Sequence, residues 1–148
     1  MVTAAAMALI LGACLAPPVP AGPQNACTAI GCESQLAFDL GADLQPGATY
    51  ELETCIDGDC ATATVPIPPP VDGGGSFGVG GPFTLDAAND IVTVRLVGED
   101  YSGAHEVSLT VAGTDGLMVD VEATTEFERG QPNGPGCEPI CWQATVRV

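Results

Sequence analysis

Two runs of alternating side chains meet at Asp57-Gly58, and that junction constrains the fold more than any other stretch of the chain. On one side stands Thr49-Tyr50-Glu51-Leu52-Glu53-Thr54-Cys55-Ile56; on the other, Asp59-Cys60-Ala61-Thr62-Ala63-Thr64-Val65-Pro66-Ile67. Alternation with period two marks a half-buried strand. A two-residue Asp-Gly loop suits the type I′ turn, whose central residues both take positive φ and whose twist matches the strands it joins. The register follows from the loop length: Ile56 faces Asp59 in the hydrogen-bonded pair that closes the turn, and Cys55 faces Cys60 in the next, non-hydrogen-bonded pair. Such pairs hold their Cα atoms ~4.5 Å apart, at the near edge of what a disulfide spans. A Cys55–Cys60 bridge is therefore expected, on the outer face with Glu51, Glu53, Thr62 and Thr64. Tyr50, Leu52, Ala61, Ala63 and Val65 then face inward. Asp57 and Asp59 also suggest a calcium loop, but Asp-Gly-Asp lacks the further acidic ligands of a complete site.

The rest of the chain repeats this pattern in shorter pieces. Residues 35–40 alternate Leu36, Phe38 and Leu40 with Gln35, Ala37 and Asp39. Residues 91–97 direct Val92, Val94 and Leu96 to one side, and residues 106–111 direct Val107, Leu109 and Val111. After the turn Thr114-Asp115-Gly116, residues 118–125 place Val119, Val121 and Ala123 inward, and residues 141–148 point Trp142, Ala144, Val146 and Val148 one way. No amphipathic helix of useful length is present. The Pro- and Gly-rich residues 66–82 read as one flexible inter-strand loop, with Phe77 and Val79 as the bulky groups of its glycine-rich part. Seven short strands with Gly, Pro and Asp between them predict an all-β fold, a single antiparallel β-sandwich.

The charge balance excludes one class of partner. The chain has no Lys, three Arg (Arg95, Arg129, Arg147) and nineteen acids, for a formal charge of −16. Phosphate binding needs the cations this chain lacks, so nucleic acid is not an expected partner. Anionic lipid headgroups repel it as well. The acidity serves solubility, or the binding of cations or of a basic partner.

At the N-terminus, residues 4–13 form an apolar run ending in Leu11-Gly12-Ala13-Cys14. Ten residues suit the core of a secretory signal and fall well short of the ~20 that a spanning helix needs. The stretch resembles the lipobox of bacterial lipoproteins. That resemblance implies a signal peptide over residues 1–13, removed on export, and acylation of Cys14 as the new N-terminus, which anchors the chain to membrane lipid without spanning it. Met1-Val2-Thr3 carries no Lys or Arg, where a signal normally opens with positive charge, and this points to a start further upstream. Leu15-Ala16-Pro17-Pro18-Val19-Pro20-Ala21-Gly22-Pro23 can form neither helix nor central strand; residues 14–26 are read as a lipidated Pro-rich tether. Of seven cysteines, Cys14 is then spoken for. Six remain (Cys27, Cys32, Cys55, Cys60, Cys137, Cys141), the even number expected of an exported, oxidised domain over residues 27–148.

The Cys27-x4-Cys32 segment before the first strand and Pro132-Asn133-Gly134-Pro135-Gly136-Cys137-Glu138-Pro139-Ile140-Cys141-Trp142-Gln143-Ala144 before the last resemble immunoglobulin-like domains of uncharacterised bacterial lipoproteins. The resemblance carries no activity, and no Cys lies mid-strand to bridge two sheets across a central Trp, as in antibody domains. It implies that the first and last strands are neighbours, often parallel. Cys27 and Cys32 then pair across with Cys137 and Cys141, or each couple pairs locally, and the sequence leaves both open. Closing ~110 residues removes about 4–5 kcal/mol of unfolded-state freedom, far more than a local loop, which favours the crossed arrangement. A zinc site built from the same four thiols is the metal alternative.

No catalytic constellation stands out. His105 is the only histidine. Ser102 or Ser108 with Glu99 or Asp100 would complete a triad on paper, yet no Gly-x-Ser-x-Gly elbow accompanies them, and His105 reads as a solvated residue at a strand start. Trp142 is expected in the core rather than stacked on a sugar. The expectation is a non-catalytic, lipid-anchored envelope module, not an enzyme, that needs no cofactor and either binds an envelope protein or glycan or serves a purely structural role, which no sequence feature separates. The alternatives are a calcium-binding protein using Asp57/Asp59 or Asp86/Asn89/Asp90, or an accessory domain of an enzyme.

Overall fold

A computed structural model describes residue 27 and residues 30–41, 44–70, 75–98 and 100–148. The expected signal peptide, Cys14 and the tether of residues 14–26 lie outside the described residues. Among those described there is no helix, and ten strands form two sheets: β1 (Gln35–Asp39), β2 (Thr49–Ile56), β3 (Asp59–Pro66), β4 (Phe77–Gly80), β5 (Phe83–Asp86), β6 (Ile91–Arg95), β7 (Ala104–Gly113), β8 (Gly116–Glu126), β9 (Glu128–Gly130) and β10 (Cys141–Arg147). One sheet runs β4-β5-β6-β1-β10-β9 and the other β3-β2-β7-β8.

The alternating residues of both sheets meet in one core. Leu36, Phe38, Phe83, Leu85, Val92 and Ala144 of the first sheet pack with Tyr50, Leu52, Val65, Leu109 and Val111 of the second. Every pairing is antiparallel except that of β1 with β10, where Leu36 faces Ala144 and Phe38 faces Val146. Tyr50 is fully enclosed, and its hydroxyl accepts the Gln45 N–H at 2.7 Å. Trp142 is likewise buried, whereas Val148, one residue past β10, is half exposed.

The β2–β3 hairpin has the expected turn and register. Asp57 and Gly58 take φ of 51° and 89°, Ile56 faces Asp59, and Cys55 faces Cys60 across a Cα separation of 4.0 Å that the disulfide closes. The outward face of this sheet carries Glu51, Glu53, Glu106, Asp120, Glu122 and Glu126, all exposed. Their register keeps them apart. Glu51 faces Thr64 and Glu53 faces Thr62, Glu53 faces Thr110 on the other side, while Asp120, Glu122 and Glu106 face Thr110, Ser108 and Thr124. Like charges directly opposite each other destabilise a sheet; a hydroxyl opposite five of these acids, and Ala104 opposite Glu126, let the face hold six carboxylates with no lysine.

The segment read as one long loop contains a strand, β4, and a second unexpected strand, β5, begins directly after it at Phe83; both correct the count of seven. The inward positions of β4 are glycines. A Cβ on Gly78 would sit 2.7 Å from the Pro66 carbonyl oxygen, and one on Gly80 would sit 2.8 Å from Val65 Cγ2. Only a bare backbone lets β4 lie this closely on β3. Phe77 and Val79 take the outward positions, 51% and 69% exposed. The third extra strand, β9, forms just past the buried Phe127, where the chain leaves β8, and pairs with Cys141, Trp142 and Gln143 of β10 in the other sheet.

The ends of the fold are joined by disulfides Cys27–Cys137 and Cys32–Cys141, with Cα separations of 5.6 and 6.0 Å. The crossed pairing is the one the structure holds, and it consumes the thiols that a zinc site would need. Between the two bridges Asn133, itself buried, accepts the Ile30 N–H at 2.9 Å and donates to the Ile30 and Glu138 carbonyls at 2.9 and 2.6 Å.

Two outcomes are expected. Gly78→Ala costs about 1–3 kcal/mol by overpacking against β3, while Gly31→Ala, whose Cβ would meet nothing within 4 Å, stays within about 0.5 kcal/mol; urea denaturation measures both. The two terminal bridges are strongly non-additive. Once one closes its ~110-residue loop the other closes only a ring of about ten, so removing either costs about 2–3 kcal/mol and removing both costs more than twice as much. Equal and additive losses in thermal melts of the single and double variants would contradict that account.

Candidate functional site

The turn residue Asp57 organises one end of the molecule. Its positive φ swings its backbone and side chain toward the start of β7, where its N–H donates to the Glu106 carbonyl at 2.8 Å and its Oδ1 accepts the Glu106 N–H at 2.9 Å. Oδ2 lies 2.7 Å from Nδ1 of His105. The phase of β7 that buries Val107, Leu109 and Val111 also turns His105 inward, beside the edge of the core. Three rings pack there. His105 meets Phe127 edge-on at a centroid distance of 5.4 Å and Tyr101 at 5.9 Å, and Tyr101 meets Phe127 at 5.3 Å. The Tyr101 hydroxyl donates to the Val97 carbonyl at 3.1 Å. A depression of about 460 Å³ opens beside the pair, lined among others by Thr54, Asp59, Arg95, Asp100, Tyr101 and His105.

His105 is therefore not a solvated residue. Its side chain is 15% exposed and ion-paired, against 53% for Asp57. The hydrogen bond that Nδ1–H donates to Asp57 raises the imidazole pKa above its ordinary 6.5, against the opposing effect of burial; the Asp57 charge and the Tyr101 and Ser102 backbone add to the rise. The same hydrogen bond, followed by that from the Glu106 N–H, holds the Asp57 carboxyl below 3.8. Burial raises the Tyr101 phenol. The sequence pointed to the hairpin and to the lone histidine separately; nothing in it linked residues 48 positions apart.

A Ser/His/acid triad does not assemble. The acid that orients His105 is Asp57, while Asp100 accepts the Ser102 N–H at 2.9 Å and caps its own turn, which lowers its pKa. Ser108 stands opposite Cys55 on β2, in outward phase, and Glu99 lies outside the described residues. Nε2 of His105, the atom a general base would use, is buried without a hydrogen-bond partner. An imidazole held this way between rings can stiffen the turn and carry a pH-dependent charge, and no hydroxyl hydrogen-bonds to its Nε2 among the described residues.

The candidate calcium loops are occupied by local bonds. Asp86 accepts the Ala88 N–H and the Asn89 side-chain amide at 2.9 and 2.6 Å. Asp90, at φ 55°, accepts the Leu44 N–H at 2.8 Å. Both oxygens of Asp57 are engaged as above. Among the described residues no group of three or more His, Cys, Asp or Glu side chains is placed to hold a metal ion.

In comparisons with known proteins, no family model, no curated protein and no solved structure matches the chain.

The pH dependence of the pair has a definite sign. His105, with its pKa raised on folding, stabilises fully below pH 6.5 and loses that effect as pH climbs through the raised value; Asp57, with its pKa lowered, stabilises above pH 3.8 and loses the effect as pH falls through the lowered value. The melting-temperature difference between the wild type and His105→Gln should be largest between pH 4 and 6.5 and shrink toward pH 9. Taking the difference cancels the self-repulsion of the other acids, and a pH-independent gap would reduce His105 to a packing role.

Proposed function

We propose that this protein is a non-catalytic binding module of the bacterial cell envelope, exported and held at the membrane by acyl chains on Cys14. The observation that carries the reading is the cysteine arithmetic. Cys27, Cys32, Cys55, Cys60, Cys137 and Cys141 all pair with one another, so Cys14 has no thiol left to join within the chain, and the lipobox-like Leu11-Gly12-Ala13-Cys14 supplies its role. Three disulfides in a chain of this length also favour an oxidising, exported setting. Residues 27–148 are read as one domain and as a divergent member of the immunoglobulin-like group. Its two sheets and its parallel β1–β10 pair support that assignment; the six-plus-four strand arrangement and the terminal disulfides are its departures. Binding rather than catalysis is favoured because the one histidine is committed to Asp57 and faces no nucleophile.

Intact mass of the membrane-extracted protein tests this reading. The expected result is loss of residues 1–13, a gain of acyl mass on Cys14, and six cysteines that react with alkylating agents only after reduction. Cys14→Ser should move the protein from the membrane to the soluble fraction. An unprocessed, unacylated chain would overturn the anchor.

A further inference from the structure

Three of the four sheet edges are short or covered. β4 has four residues and packs its glycines on β3, covering that edge too, and β9 has three residues. β8 is different. It has eleven residues, stands at the end of its sheet, and has no strand beyond it among the described residues. Its inward-facing Val121 and Ala123 are only partly covered, whereas Val107, Leu109 and Val111 on the neighbouring β7 are buried, so that side of the fold is open. Long edges are usually guarded by Lys, Pro or a bulge. β8 has neither Lys nor Pro, and its one register shift lies near its turn end, beside Val111 and Ala112.

We propose that the β8 edge docks an extended segment of another protein that carries Lys or Arg at alternate positions. The unpaired N–H and C=O groups of β8 supply the backbone ladder. Its outward side chains Asp120, Glu122, Thr124 and Glu126 supply the charge preference. A hollow of about 490 Å³ on the same face, bounded by Glu106, Glu122, Ser108 and Thr124, receives a cationic side chain. Among the described residues none of the three Arg pairs with these acids, the one ion pair being that of His105 with Asp57, and the chain has no Lys. A second copy is disfavoured, because β8 against β8 would bring Asp120, Glu122 and Glu126 near their own counterparts. This partner class rests on the binding-module reading. Failure of the mass experiment would leave peptide binding untouched, and failure of peptide binding would leave the anchor untouched.

The test titrates the full chain with a capped synthetic peptide of five Lys-Val repeats, and with a block peptide of five Lys followed by five Val. Calorimetry gives affinity, and amide hydrogen exchange locates the contact. The expected result is 1:1 binding with new protection along β8, at least tenfold weaker for the block peptide. Binding should weaken at least tenfold in Glu106→Lys/Glu122→Lys, weaken to a lesser degree in the shape-conserving Glu106→Gln/Glu122→Gln, and stay unchanged in Glu33→Lys. Equal affinity for both peptides, no binding, or protection on a different strand would overturn the proposal. So would β8 amides already protected without peptide, whether by self-association seen in sedimentation or by the chain's own N-terminal segment.

Discussion

The parallel pairing of β1 with β10 is the constraint on which the rest of the structure depends. It places the first and last strands side by side in the middle of the larger sheet, so both hydrogen-bond to neighbours on either side and both bury alternate residues. A parallel contact between strands more than a hundred residues apart is entropically costly to form. The two disulfides at the entrance to these strands offset that cost in the unfolded chain, and Asn133 fills the gap between them with hydrogen bonds to Ile30 and Glu138.

The second organising constraint is electrostatic. With sixteen more acids than bases, most carboxylates have no cation to face, and the fold manages this by spacing. On the outward face of the smaller sheet, hydroxyl side chains separate the acids; in the turns, carboxylates accept backbone N–H groups, as at Asp57, Asp86, Asp90 and Asp100. In the docking proposed for β8, the same arrangement deters two copies from pairing edge to edge and favours a cationic partner. Acidity here works on specificity more than on stability.

The His105–Asp57 pair joins these two themes. A turn that exists because Asp-Gly accepts positive φ also delivers a carboxylate to the one histidine, and the aromatic rings of Tyr101 and Phe127 exclude water from its far nitrogen. The hairpin thereby fastens itself to the start of β7, at the end of the molecule where the Cys55–Cys60 bridge already stiffens it.

Local pattern by itself determined the all-β class, the core-facing residues of seven strands apart from Val148, and the hairpin with its register and its bridge. Each of these depends on neighbours within a few positions, where period and turn chemistry act. It did not reveal β4, whose inward positions are glycines and carry no hydrophobic signal, nor β5, whose Phe83 and Leu85 alternate over only four residues, nor β9, three residues that pair with β10 once the chain has crossed from one sheet to the other. The choice between crossed and local disulfides, and the meeting of Asp57 with His105, were decided only by the tertiary structure. Both join residues far apart in the chain, whose proximity follows from how the sheets pack and from nothing written beside them.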